Sequence, residues 1–149
     1  MTTALKTTKE TNINLPTERK PIVTLHGDTR DLIHQLPDDT FQCAVTSPPY
    51  WGVRDYGIEN QIGAEQDLYQ YIKHPVEVFR EVRRVLKPDG TFWLNIGNTY
   101  SSGGRKWRDA DDKNKGRAMS YRPPTPPGLK KKDLIGVAWL LALECQKDG

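Results

Sequence analysis

Phe41-Gln42-Cys43-Ala44-Val45-Thr46-Ser47-Pro48-Pro49-Tyr50-Trp51 is the stretch on which the reading of the fold turns. Phe41 to Thr46 is an apolar run of strand length. Cys43, inside that run, is expected to be a small core residue. Upstream, Ile22-Val23-Thr24-Leu25 predicts an earlier strand, and Gly27-Asp28-Thr29 predicts a turn. Leu32, Ile33 and Leu36 then sit at helical spacing, so Arg30 to Leu36 reads as a short helix that Pro37-Asp38-Asp39 stops. Strand, helix and strand with short connections make a β-α-β unit, the building block of a mostly parallel sheet and an α/β fold.

Downstream of the two prolines, Tyr50 to Gly63 is an aromatic, glycine-bearing loop. A second helix follows, with an apolar stripe of Val78, Phe79, Val82, Val85 and Leu86 and an expected break near His74-Pro75. Lys87-Pro88-Asp89-Gly90 is a strong stop and turn, after which Thr91 to Ile96 predicts a third strand. Residues 98–131 are rich in Gly, Pro, Lys and Arg and read as a long basic insertion. The last element predicted is an amphipathic helix from about Lys132 to Lys147, carrying Leu134, Val137, Ala138, Leu141 and Leu143. Residues 1–20 read as a flexible tail, and 21–149 as the folded part.

With 149 residues the chain has the length of one domain, and four Trp, six Tyr and three Phe supply bulk for a core although only 36% of residues are hydrophobic. Charge is unevenly spread. Gly103 to Lys132 holds ten Lys/Arg against three Asp, a local +7, so the remainder of this +3 chain is mildly acidic. Such a segment is either a solvated loop or a polyanion contact. Cys43 and Cys145 are far apart and lack metal-ligand spacing, so no metal is expected. No stretch is long and apolar enough to span a membrane, and the first twenty residues lack a signal-peptide core, which makes a cytoplasmic location the default.

The densest chemical signal is Ser47-Pro48-Pro49-Tyr50, placed at the C-terminal end of a predicted strand, the edge where open α/β sheets bind ligands. Consecutive prolines fix φ and remove two donors, leaving the neighbouring carbonyls to accept from something else. A polar side chain, a rigid acceptor backbone and an aromatic ring within four residues suit a flat group bearing an NH2. From residue types alone the stretch is equally a proline-rich turn with a core tyrosine.

Thr46-Ser47-Pro48-Pro49-Tyr50-Trp51 resembles the (Ser/Asp)-Pro-Pro-(Tyr/Phe/Trp) motif of the DNA amino-methyltransferases that make N4-methylcytosine or N6-methyladenine. Leu25-His26-Gly27-Asp28, Leu36-Pro37-Asp38, Val85 to Asn95 and Lys132 to Trp139 resemble, in order, the opening units of the permuted, β-type members, so the likeness covers roughly Ile22 to Gly149. It implies a Rossmann-like, S-adenosylmethionine-dependent methyltransferase fold with a mostly parallel sheet. It also implies transfer of a methyl group to the exocyclic amine of a base flipped out of double-stranded DNA. Ser47, Pro48, Pro49 and Tyr50 become the catalytic set: Ser47 and the Pro48 carbonyl accept the amine N–H groups, and Tyr50 stacks on the base.

The likeness makes Asp28 a cofactor contact, and position and charge supply the other candidates. Asp28 and Asn95 are the candidate cofactor contacts, although Asp28 reads equally as a helix cap, and Asn95 and Asn98 as ordinary turn residues. Trp51, Arg105, Lys106, Arg108 and Arg117 are the candidate DNA contacts, the arginines and lysine meeting phosphates. Serine rather than aspartate at 47 points to cytosine N4 in an enzyme of the restriction-modification or phage type, with adenine N6 as the alternative. The family's Phe-x-Gly-x-Gly cofactor loop has no counterpart, since Ser101-Ser102-Gly103-Gly104 departs from that pattern. The chain is therefore expected to be the N-terminal, catalytic-motif portion of a fold truncated at its C-terminus, and inactive alone. A fragment or split subunit that only binds DNA, completed by a second polypeptide, is the rival from another class. An RNA or protein methyltransferase is a third, which the permuted motif order disfavours.

Overall fold

A computed structural model describes residues 3–5, 22–101, 113 and 122–149, with the backbone alone for 3–5. The elements run β1 (Thr3–Leu5), β2 (Val23–Leu25), α1 (Thr29–Leu32) continued by a 3-10 turn (Ile33–Gln35), β3 (Phe41–Thr46), α2 (Leu68–Val85), β4 (Leu86–Leu94) and α3 (Val137–Asp148). β1 pairs with β2 in parallel, Thr3 opposite Val23 and Leu5 opposite Leu25. β3 is the hydrogen-bonded neighbour of β4. The strands and helices make an α/β arrangement that includes a small parallel sheet. The chain divides into two compact units, one of Met1–Ala44 and Val78–Phe92, the other of Val45–Glu77 and Trp93–Gly149.

In the first unit, Asp28 starts α1: its side chain accepts from the Arg30 N–H at 2.8 Å, satisfying one of the orphan donors of a helix start. Arg84 ties this region together. It donates to the Ile33 carbonyl at 3.0 Å and the Leu36 carbonyl at 2.9 Å, bonds Glu81 at 2.6 Å, and pairs with Asp38. The Arg84 and Val85 carbonyls at the end of α2 accept from the Asp39 and Thr40 N–H groups, so the turn before β3 caps that helix. Phe79 and Phe92 meet edge-to-face with centroids 4.9 Å apart, and Ile33, Val85 and Leu86 are buried around this unit's core.

In the second unit Leu68, Tyr71, Ile72, Pro75 and Val76 recur at helical spacing and are buried, with Trp51, Ile135, Val137 and Leu141. Asp67 starts α2, its carboxylate accepting from the Tyr69 and Gln70 N–H groups. Thr99 to Ser101 lie against the segment that leads into α3. Tyr100 bridges Leu134 antiparallel, Ile135 donates to the Thr99 carbonyl, and Ser101 Oγ donates to the Lys130 carbonyl at 2.7 Å.

Several expectations need correction. β1 lies within the stretch read as a tail; three residues are too short to register in a periodicity. α2 is continuous from Leu68 to Val85 and does not break at Pro75. A proline inside a helix costs about 3 kcal/mol. Here its ring is fully buried beside Tyr71, Ile72 and Val76, and burying each such side chain is worth about 1.5–3 kcal/mol. β4 begins at Leu86, so the Lys87–Gly90 turn is absorbed into the strand. A Cβ on Gly90 would stand 2.9 Å from the Lys87 carbonyl and 3.2 Å from that of Phe41, a spacing only glycine tolerates. Cys43 is exposed, as is Val45 at 76%, so β3 is not buried on both faces. α3 starts at Val137 after Gly136 in the left-handed conformation, five residues later than the pattern suggests. In α3 Val137 and Leu141 are buried, while Trp139 and Leu143 are exposed, as is Leu134 before it.

Replacing Arg84 with alanine is expected to cost about 1.5–3 kcal/mol, the worth of charge-assisted hydrogen bonds, read as a lower urea midpoint. Lysine at 84 recovers little, because it lacks the planar fork. The Arg84 hydrogen bond holds the Glu81 carboxyl below its usual range. A carboxyl depressed on folding adds stability at neutral pH that is lost as pH falls through the acidic range. Part of that acid sensitivity should disappear in Arg84→Ala.

Candidate functional site

The site forms where β3 ends. The Asn95 N–H donates to the Thr46 carbonyl at 2.9 Å, the last rung before the prolines. Ser47 is exposed beyond it, and Pro48, Pro49 and Tyr50 are half-buried. Ser47, Pro48, Tyr50, Val53, Arg54 and Tyr56 line a cavity of about 290 Å³. The loop carrying its far wall is braced by Gln61, which accepts from the Tyr56 N–H at 2.7 Å and donates to the Arg54 carbonyl at 3.0 Å.

Behind the cavity lies a polar scaffold. The Tyr71 hydroxyl donates to the Pro49 carbonyl at 3.0 Å. The Tyr71 ring is wholly buried and stacks on Trp51, centroids 6.5 Å apart. The Trp51 indole N–H donates to the Glu65 carbonyl at 2.8 Å. The Glu65 carboxylate, 7% exposed, accepts from the Gly63 N–H at 2.8 Å and pairs with His74 Nδ1 at 2.6 Å. The Gly63 carbonyl in turn accepts from the Gly52 N–H at 2.8 Å. Gly63 has φ +98°, and a Cβ there would meet the Tyr50 carbonyl at 3.0 Å and the Pro49 ring at 3.3 Å. Burial pushes the Tyr71 phenol far above its ordinary range, with the Glu65 charge and Tyr50 adding, so it stays a donor.

A family model described as DNA methylase matches residues 41–147. The chain belongs to the N6/N4 DNA methylase family. It is 66% identical over 123 residues to the type II methyltransferase M.SmaI of Serratia marcescens, which covers 83% of this chain and 42% of that protein. Against the type II methyltransferase M.Cfr9I of Citrobacter freundii it is 50% identical, over 90% of this chain and 45% of the relative. Against M.XycI of Xanthomonas campestris pv. cyanopsidis it is 54% identical, over 83% of this chain and 41% of the relative. The chain thus spans less than half the length of these relatives.

Of the residues that the sequence singles out, Ser47, Pro48 and Tyr50 line one cavity, and the Pro49 carbonyl is turned to Tyr71. Asp28 belongs to the other unit. It caps α1 and bonds Arg30 through both oxygens, an arrangement that lowers its pKa. The Asn95 side chain is exposed, and its backbone serves the strand ladder. Asn98 Oδ1 accepts from the Ala138 N–H, in the first turn of α3, at 3.0 Å. Trp51 is placed in the core, 3% exposed, not on a surface that a duplex could meet. Arg105, Lys106, Arg108 and Arg117 lie outside the described residues. Among the described residues no helix is long and apolar enough to cross a membrane.

Sequence reasoning missed Tyr71, Glu65 and His74, whose roles arise from contacts made across the fold. It also passed over Arg54 and Tyr56. A cation and an aromatic residue just after the motif, in a loop dotted with glycine, were an available signal.

Trp51→Ala is expected to destabilise the protein by about 3–5 kcal/mol, as removal of a buried aromatic does. Trp51→Phe keeps the stacking but leaves the Glu65 carbonyl without its donor, a loss of about 1–3 kcal/mol. Chemical denaturation gives both values; a surface DNA contact would instead leave stability unchanged and weaken DNA binding.

Proposed function

We propose that this chain carries the methyl-acceptor site of a type II DNA methyltransferase that modifies the N4 amine of cytosine. The observation that supports this most is the cavity at the end of β3, where a hydroxyl, a proline carbonyl segment and an aromatic ring converge. An exocyclic amine is a poor nucleophile because its lone pair is delocalised into the ring. Acceptors that hold both N–H groups out of plane localise that lone pair on nitrogen. Ser47 Oγ and the Pro48 carbonyl are the acceptors we assign. Tyr50 stacks on the flipped base, worth about 1–3 kcal/mol. Positioning supplies most of the remaining acceleration. Arg54 and Tyr56 form the outer wall. The Arg54 guanidinium, on the cavity lining, is the group we assign to a phosphate of the flipped nucleotide.

S-adenosylmethionine supplies the methyl group when bound, and Asp28 and Asn95 are the residues of this chain we assign to hold it. Arg30 occupies both oxygens of Asp28, but the two side chains are 36% and 40% exposed. An exposed pair is worth about 0–1 kcal/mol, so a ligand hydroxyl can displace the guanidinium. The surrounding architecture we assign is a Rossmann-like sheet, with residues 21–149 as its acceptor-site portion. Arg105, Lys106, Arg108 and Arg117 of the basic insertion serve as phosphate contacts on double-stranded DNA. Serine at 47 is the feature that favours cytosine over adenine in this reading.

In the full-length protein, Ser47→Ala should slow methyl transfer roughly tenfold to a hundredfold, matching one lost hydrogen bond in the transition state, with DNA affinity nearly unchanged. Tritiated-methyl incorporation and filter binding separate the two. Mass analysis of nucleosides from the methylated DNA should show N4-methylcytosine; N6-methyladenine alone would overturn the choice of base and leave the acceptor site standing. Arg54→Gln should weaken DNA binding and flatten its salt dependence by about one unit of slope. An unaltered slope would remove Arg54 from the phosphate contacts.

A further inference from the structure

Within the Pro48-Pro49 pair that joins the end of β3 to Tyr50, one backbone torsion stays soft. The rings fix φ at Pro48 and Pro49. ψ of Pro48 is confined because a proline follows it. ψ of Pro49 remains, and it decides in which direction Tyr50 leaves the turn. A hydrogen bond to the Pro49 carbonyl fixes the plane of that peptide, and with it this torsion. The Tyr71 hydroxyl makes that bond at 3.0 Å.

Tyr71 is itself held from several sides. Its ring is fully buried, and Trp51 stacks on it. Trp51 is tied to the Glu65 carbonyl, and the Glu65 carboxylate to Gly63 and His74. On the other side, a Cβ on Gly97 would stand 3.0 Å from Cε2 of the Tyr50 ring. Gly97 therefore forms a seat against which the ring stops.

We infer that Tyr71 is a positioning residue for methyl transfer: through the Pro49 carbonyl it sets the place of Tyr50 in the acceptor cavity, with Gly97 as the opposing stop. The inference rests on the acceptor-site reading above. Tyr71 touches neither base nor cofactor in this account. A stacking ring displaced by a fraction of an ångström misorients the base it carries, and small misplacements are costly to a step that depends on alignment.

The test compares full-length wild type, Tyr71→Phe, Gly97→Ala and Ser47→Ala. Single-turnover methylation of a duplex substrate is measured with labelled S-adenosylmethionine, alongside DNA affinity and thermal melting. Tyr71→Phe keeps the ring and its stacking but removes the hydroxyl. Its methylation rate per folded molecule should fall about tenfold, the worth of one hydrogen bond, with DNA affinity within about twofold. A rate that falls only in step with the folded fraction, or stays at the wild-type value, overturns the inference. If Tyr71→Phe does not fold, Gly97→Ala carries the test, with the same split expected and a wild-type rate overturning it. A slow Ser47→Ala beside a wild-type Tyr71→Phe refutes only the role of Tyr71. A wild-type protein that transfers no methyl group to DNA refutes the acceptor-site reading itself.

Discussion

The structure depends on a short piece of backbone that has almost no freedom. Pro48 and Pro49 lock their own φ values, Pro49 restricts the residue before it, and the Tyr71 hydroxyl holds the carbonyl that follows. A strand end, an acceptor wall and an aromatic platform are thereby fixed with respect to one another before any ligand arrives. Ser47 is left exposed on one side of this segment, and Trp51 is turned into the core on the other. The sequence Pro-Pro-Tyr-Trp thus contributes one ring to the cavity and one to the foundation beneath it.

That foundation contains a buried carboxylate, which is costly unless its lone pairs are used. Glu65 meets the condition through the Gly63 N–H and His74, while its carbonyl accepts from Trp51. The loop from Gly52 to Glu65 is consequently anchored at both ends, by Gly52 to Gly63 and by Trp51 to Glu65, and Gln61 braces the middle. Arg54 and Tyr56 project from a loop supported in this way, which is what a binding wall requires: adaptable side chains on backbone that does not have to be ordered anew.

The parts of this architecture that are local in sequence were legible. β3 is found at Phe41–Thr46 where its composition places it, Asp28 caps α1 in keeping with one of its two readings, and Ser47, Pro48 and Tyr50 share a cavity. Tertiary context overrode local signals elsewhere. Pro75 sits in an unbroken helix because its ring is wanted in the core. Lys87 to Gly90 looks like a terminator and is carried inside β4. Cys43 lies in an apolar run, yet the face of β3 it occupies is open. Tyr71 was the least legible of all: on its helix it is one more apolar residue at the right spacing, and only the fold brings its hydroxyl to a carbonyl twenty-two residues upstream.

In the proposed function this rigid turn presents its acceptors and its ring to an amine of a flipped base. A crystal structure of the full-length protein with duplex DNA and a non-reactive cofactor analogue addresses it most directly. The expected result is a cytosine outside the helix, its ring stacked on Tyr50 and its amine within hydrogen-bonding distance of Ser47 Oγ and the Pro48 carbonyl, while Tyr71 still bonds Pro49. A target base that remains stacked in the duplex, or one that enters a cavity not lined by Ser47 and Tyr50, would contradict it.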